Sequence, residues 1–255
     1  MGSFFLIMKH TIYLLIVLLA FSCVKKDKNT LQESSNILDK VILTHGVQSY
    51  TTHKIFFSID DTKYSMSYPN GRARYTMVRT YQSVRNKVVY DGGYLTYYKN
   101  DTLQPDGSFP YQIIERQLYG LLHSVSIPKD LTANDFTIKI LDDVIIRSKP
   151  YYALEATSPN LELEKTNRII LYISKQDFII EYYALDYNAI ALQKQFRRLI
   201  NARKINDILF QDISIFVSND SILPLDKYYT HYNNPKLVPT KKIELKNIEV
   251  IPLKN

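Results

Sequence analysis

The sequence predicts a mainly β domain of the α+β class: a large curved antiparallel sheet or half-open β-barrel, with a few helices packed across it. Three observations predict it. The chain carries 21 Tyr and 11 Phe but no Trp, and Tyr and Phe rings pack well on a pleated surface. Long stretches alternate apolar and polar residues with period two, and the links between them are too short for crossover helices. A helical stripe is clear in one mid-chain segment. With only 7 Gly in 255 residues, glycine-rich phosphate loops are largely excluded.

The chain opens with an export signal. Lys9 and His10 precede the apolar run Thr11-Ile12-Tyr13-Leu14-Leu15-Ile16-Val17-Leu18-Leu19-Ala20-Phe21-Ser22. This has the parts of a signal peptide spanning 1–22: a positive start, an apolar stretch and a small residue at the cut. Met8 is an alternative start, with Met1 to Ile7 as an upstream extension. The run is short of the roughly 20 residues of a membrane span, although a transmembrane anchor remains the alternative. Cys23 follows at once and is the only cysteine, so no disulfide forms within the chain. Behind Leu19-Ala20-Phe21-Ser22 it resembles the lipobox of bacterial lipoproteins, with Ala20 where Leu is usual. That resemblance implies that Cys23 is the lipid attachment site and the mature N-terminus. Residues 23–30 then form the acylated cysteine and a polar, basic tether, Val24-Lys25-Lys26-Asp27-Lys28-Asn29-Thr30. Residues 31–255 read as a single domain.

Within that domain, Leu31, Leu38, Val41 and Ile42 have helix-like spacing, and Gly46 is a candidate C-cap. His45 reads as a cap-proximal or surface histidine. His53 to Ile59 is the first strand, with His53, Ile55, Phe57 and Ile59 on one face. Asp60-Asp61 turns the chain. Tyr64, Met66 and Tyr68 alternate with polar residues, Pro69-Asn70-Gly71 is a turn, and Ala73, Tyr75, Met77, Arg79 and Tyr81 alternate again. Val88 to Tyr90 and Tyr94 to Tyr98 flank Asp91-Gly92-Gly93 as a hairpin.

The mid-chain helix follows Pro110 and carries its stripe on Tyr111, Ile114, Leu118 and Leu121. Ser124 and Ser126 weaken the pattern, and Pro128 ends it. The second half is another meander, with strands expected at Thr137 to Ile146, Tyr151 to Thr157, Asn167 to Ile173, Phe178 to Tyr187, Gln195 to Lys204 and Asp207 to Phe216. Lys241 to Ile251 reads as a last strand.

Catalytic chemistry is not visible. His10, His45, His53, His123 and His231 show no metal-ligand spacing, and no serine sits in a nucleophile elbow. Asp60-Asp61 and Asp142-Asp143 are adjacent pairs at turns, and neighbours on a strand point to opposite faces. No catalytic residue, metal or cofactor is therefore expected. A hydrolase would need carboxylates converging from distant strands. Net charge is +7. Lys9 is the one charged residue in 1–22, so the remainder carries +6. In an exported protein this charge suits a lipid headgroup or a solvated surface, and nucleic acid is not expected.

The order of a lipobox, a helix ending at His45-Gly46, a meander, a mid-chain helix and a second meander resembles a family of bacterial lipoproteins. That family is related in fold to LolA-type lipoprotein carriers. The hairpin from Ile169-Ile170-Leu171-Tyr172-Ile173 to Phe178-Ile179-Ile180-Glu181-Tyr182, and the pair around Phe196 and Phe210, prompt the likeness. It covers most of residues 31–220. It implies a half-open antiparallel barrel with helices across its mouth, whose concave face holds acyl chains in LolA-type carriers. No binding residue carries over by position. Lipoprotein carriage does not follow either, because a permanently acylated protein cannot shuttle across the periplasm.

The expected function is thus a lipid-anchored envelope protein, on the outer membrane facing the periplasm. It would be a non-enzymatic binding module for an apolar or amphipathic ligand. Phe57, Tyr64, Met66, Tyr75 and Met77 are the candidate binding residues, with plain core packing as the competing account of the same stripe. Arg72 and Arg74 share a strand face and suit either an anionic headgroup or surface ion pairs. The alternative function is a protein-interaction scaffold, since Tyr and Arg favour interfaces.

Overall fold

A computed structural model describes residues 32–107, 110–131, 136–158, 166–187 and 193–253. The signal segment, Cys23, the tether and Leu31 lie outside the described residues.

The first helix, α1, runs over residues 32–45. It buries Ser34, Ile37, Val41 and His45, spaced by three, four and four, which is one helical stripe. Gly46 ends it in the left-handed region at φ 66. A short 3-10 turn, Val47–Thr51, leads into the first meander.

That meander holds β1 (His53–Ile59), β2 (Thr62–Ser67), β3 (Arg74–Tyr81), β4 (Val84–Asp91), β5 (Tyr94–Lys99) and β6 (Thr102–Leu103). Two helices follow, α2 (Tyr111–Val125) and α3 (Ile127–Asp130). The break falls at Ser126, whose hydroxyl donates to the Leu122 carbonyl at 2.9 Å. Pro128 sits in the first turn of α3 rather than ending α2, a position where its missing N–H costs nothing.

The second half contributes β7 (Thr137–Ile140), β8 (Val144–Ile146), β9 (Lys149–Thr157), β10 (Thr166–Ser174), β11 (Ile180–Tyr187), β12 (Gln195–Ile205) and β13 (Ile208–Ser218). Helix α4 (Tyr228–Asn233), β14 (Leu237–Ile243) and β15 (Lys246–Pro252) complete it.

The fold is mainly β, with curved antiparallel sheets that do not close. The strands divide between two sheets. Sheet 1 has the order β15-β1-β2-β3-β4-β5-β6, and sheet 2 the order β14-β13-β12-β11-β10-β9-β7, with β8 also paired to β9. The division depends on the tail. The expected single strand over Lys241 to Ile251 is two strands, β14 on β13 and β15 on β1. The crossover between them is held by side chains of sheet 2. Asp212 accepts the Leu245 N–H at 3.0 Å, and Arg203 donates to the Leu245 carbonyl at 2.6 Å and to Asp212 at 2.9 Å.

The expected strand over Thr137 to Ile146 is likewise interrupted, at Leu141-Asp142-Asp143. Both of its parts, β7 and β8, lie on β9.

The main core joins the inner faces of both sheets to α1, α2 and α3. A second cluster lies on the other face of sheet 2. There Ile146, Tyr151, Tyr172, Tyr182 and Phe196 pack against Leu223, Leu225, Tyr228 and Tyr232 from the segment around α4. Sheet 2 is thus buried on both faces. No described helix is long and apolar enough to cross a membrane.

Candidate functional site

Antiparallel register puts directly opposed residues on one face. Across β1 to β5 this builds two apolar rows on the inner face of sheet 1. The first row runs Ile55, Met66, Tyr75, Tyr90, Leu95. The second runs Phe57, Tyr64, Met77, Val88, Tyr97. All five residues singled out from the sequence therefore adjoin one another. Phe57 stacks on Tyr64 with ring centroids 5.3 Å apart, and Tyr75 stacks on Tyr90 at 5.5 Å. Cross-strand aromatic pairs of this kind add about 0.5–1.5 kcal/mol beyond area burial.

Access varies along the rows. Met66 is fully buried, and Phe57 and Tyr75 nearly so, so each contributes about 1.5–3 kcal/mol through burial alone. Tyr64, Met77 and Tyr97 are only partly buried. Two residues further along, the same face keeps Ile59 on β1 but turns polar across β2 to β5, with Thr62, Arg79, Asn86 and Lys99 in register.

Helices α2 and α3 belong to neither sheet and pack into the core that this face contributes to. The Tyr50 hydroxyl, from the 3-10 turn before β1, donates to the Val125 carbonyl at the end of α2 at 3.4 Å. The Lys129 ammonium lies 3.8 Å from the centroid of the Tyr68 ring, and the Tyr68 and Tyr75 hydroxyls are 3.1 Å apart. Sheet 2 holds the same helices through Arg197, which is 5% exposed. Its guanidinium donates to Ser124 on α2, to the Tyr183 hydroxyl at 3.0 Å, and to Gln195 at 2.7 Å and 3.0 Å. A buried charge is tolerated only when its donors are met in this way.

His45 is cap-proximal, the last residue of α1, but it is buried rather than on the surface. Its Nε2 accepts the Ile180 N–H at 3.1 Å, so the imidazole is held neutral with its proton on Nδ1. Burial lowers its pKa to about 4, with Asp177 pulling the other way. The signal was present in the sequence, because Ile37, Val41 and His45 continue one helical stripe. A cavity of about 10 Å³ lies beside it, lined by His45, Ser124, Ile127, Leu199 and Gln211 among others, room for about one water.

Arg72 and Arg74 both pair with Asp91, at 3.1 Å and 3.0 Å. Asp60-Asp61 does turn the chain, with Asp60 at φ 48, and Asp143 pairs with Lys175. Among the described residues no group of three His, Cys, Asp or Glu gathers to hold a metal.

A solved structure of similar fold is a LolA superfamily protein from Nitrosomonas europaea. It is 13% identical, with a TM-score of 0.50 over 87% of this chain and 94% of that one. The fold is LolA-like. A DUF1329 family protein from Desulfovibrio piger is also similar, at 8% identity and a TM-score of 0.42 over 84% of this chain and 92% of that one. No protein-family model matches the sequence, and no curated protein matches it. In this LolA-like fold, the rows through Met66 and Tyr64 line the inner face of one sheet and share a core with α2 and α3.

Proposed function

We propose that this LolA-like domain is a non-enzymatic binding module of the bacterial envelope. It holds an apolar or amphipathic, lipid-like molecule on the inner face of sheet 1. Cys23 carries the acyl anchor, and the domain works while tethered to the outer membrane on its periplasmic side. One observation carries the reading: a continuous aromatic and thioether surface shares its core with helices that are not strands of either sheet. Helices that pack through side chains can be displaced without breaking a ladder of backbone hydrogen bonds. Tyr64 and Met77, half-buried at the edge of that core, give a ligand a place to enter.

Native mass spectrometry of the intact chain, released gently from neutral detergent, tests the proposal. A reproducible added mass that is lost on denaturation, and that extracts as a lipid, supports the module. A covalent acyl mass that survives denaturation and disappears in Cys23→Ser supports the anchor. A folded chain with no non-covalent mass moves the function to the protein's outer surface.

A further inference from the structure

The polar row that ends the apolar face has its own chemistry. Arg79 on β3 and Lys99 on β5 lie in register through Asn86 on β4. They occupy the same face as Met77 and Tyr97, two residues away on their own strands. Both are exposed. Among the described residues neither makes an ion pair, whereas Arg74 and Arg85 on the same sheet both do. Asn86 accepts the Tyr97 hydroxyl at 2.6 Å, which ties the polar row to the apolar one. Asp60, in the β1–β2 turn, puts a carboxylate at the same end, and the Tyr64 phenol feels both Asp60 and Arg79. The β1–β2 turn also carries Asp61, and the β5–β6 turn carries Asp101, which pairs with Arg85. The positive charge is therefore local, on the β3–β5 part of this polar rim, where Arg79 and Lys99 flank Asn86.

The geometry suits one occupant. Neighbouring strands are about 4.8 Å apart, so Arg79 and Lys99 stand roughly 10 Å apart at their Cα atoms. Long flexible side chains converge easily over that span. The rows repeat every two residues, so the rim lies about 7 Å beyond the Tyr64 row. A molecule lying along the strands would place a tail over Phe57, Tyr64 and Met77 and a head between the two cations.

Resting on the binding proposal above, we infer that Arg79 and Lys99 form a headgroup subsite that selects a lipid with an anionic head. The apolar rows bind the tail regardless of head charge, and the rim adds the preference. The rim is solvated, so that preference is electrostatic and weakens with salt.

The test uses the intact chain in neutral bilayer nanodiscs and two photoreactive probes. One is a diazirine-bearing fatty acid and the other is its neutral glycerol ester. Cross-linked peptides are mapped by mass spectrometry. Expected is labelling of the peptides containing Tyr64, Met77 and Tyr97, with the acid about tenfold more effective than the ester at low salt. Arg79→Gln/Lys99→Gln should abolish that preference and leave ester labelling unchanged. Lys63→Gln, an exposed lysine in register with Val78 on the opposite face, should keep it. Equal labelling of these peptides by acid and ester overturns the subsite and leaves the binding module standing. Absence of labelling on these peptides by both probes, in protein shown to be folded, overturns the binding module and the subsite with it.

Discussion

The imidazole of His45, at the last residue of α1, accepts the backbone N–H of Ile180 at the start of β11, across 135 residues of sequence. The contact works only with a neutral ring. In the folded chain burial holds the pKa at about 4 against an ordinary 6.5. The unfolded chain takes up the proton first, so its stabilising effect is complete above pH 6.5 and is lost as pH falls towards 4. The loss should amount to about 3 kcal/mol. Urea unfolding between pH 7 and pH 4 measures it. His45→Gln, which does not titrate, should flatten the slope in that window relative to the native chain. An unchanged slope would remove His45 as the cause.

Gly46, the next residue, is bound by its surroundings as well as by its φ of 66. A Cβ there would stand 1.9 Å from the Asp207 carbonyl oxygen. Backbone cannot swing aside as a side-chain tip can. Gly46→Ala should cost roughly 3 kcal/mol or more, combining strain and overpacking. Gly71→Ala, also at positive φ but with nothing within 4 Å of its Cβ, should cost about 1 kcal/mol. Denaturant midpoints of the two variants give the comparison directly.

Met66 and Met77 share one face of sheet 1, yet they should fail differently. Met66 is fully buried, so Met66→Ala should destabilise by about 3 kcal/mol. Met77 is partly buried, so Met77→Ala should cost about 1 kcal/mol. If the face binds a lipid-like ligand, Met77→Ala should reduce the non-covalent mass retained in native mass spectrometry while the protein stays folded. Retention unchanged in Met77→Ala and in Tyr64→Ala would leave the stripe as core packing alone.

The hydroxyl of Tyr172 is buried in the second cluster and has no hydrogen-bond partner among the described residues. Tyr172→Phe removes an unmet polar atom and keeps the ring contacts with Phe196 and Tyr229. It should be neutral or stabilising by up to about 1 kcal/mol. Tyr151, in the same cluster, donates to Glu181 at 2.6 Å. Tyr151→Phe should therefore cost about 1–2 kcal/mol. Thermal unfolding of the two variants should move the melting temperature in opposite directions, or leave it unchanged for Tyr172→Phe.

Much of the strand content was legible because period-two alternation is a local property. The hairpin at Asp91-Gly92-Gly93 and the turn at Asp60-Asp61 follow from residues that accept positive φ. The inner stripe from Phe57 to Met77 followed too, since alternation assigns faces before pairing is known. Less legible was the β8–β9 hairpin. Arg147 and Ser148 adopt φ 49 and 68 there, residues that do not advertise such a turn. Pairing on both sides imposes the conformation, with Asn233 from α4 accepting the Arg147 N–H at 2.9 Å.

The second cluster had a signal that alternation conceals. Ile169, Ile170, Leu171, Tyr172 and Ile173 form an unbroken apolar run, which marks a strand buried on both faces. The sequence by itself determined most of the strands, their inward faces and the mid-chain helix, because each depends on residues a few places apart. Tertiary structure alone decided that the tail divides between two sheets, that His45 meets Ile180, and that Arg79 and Lys99 share a rim with Tyr64. Those relationships depend on register between distant strands. Register is set by which apolar surfaces can be buried together, and that quantity belongs to the whole chain rather than to any segment of it.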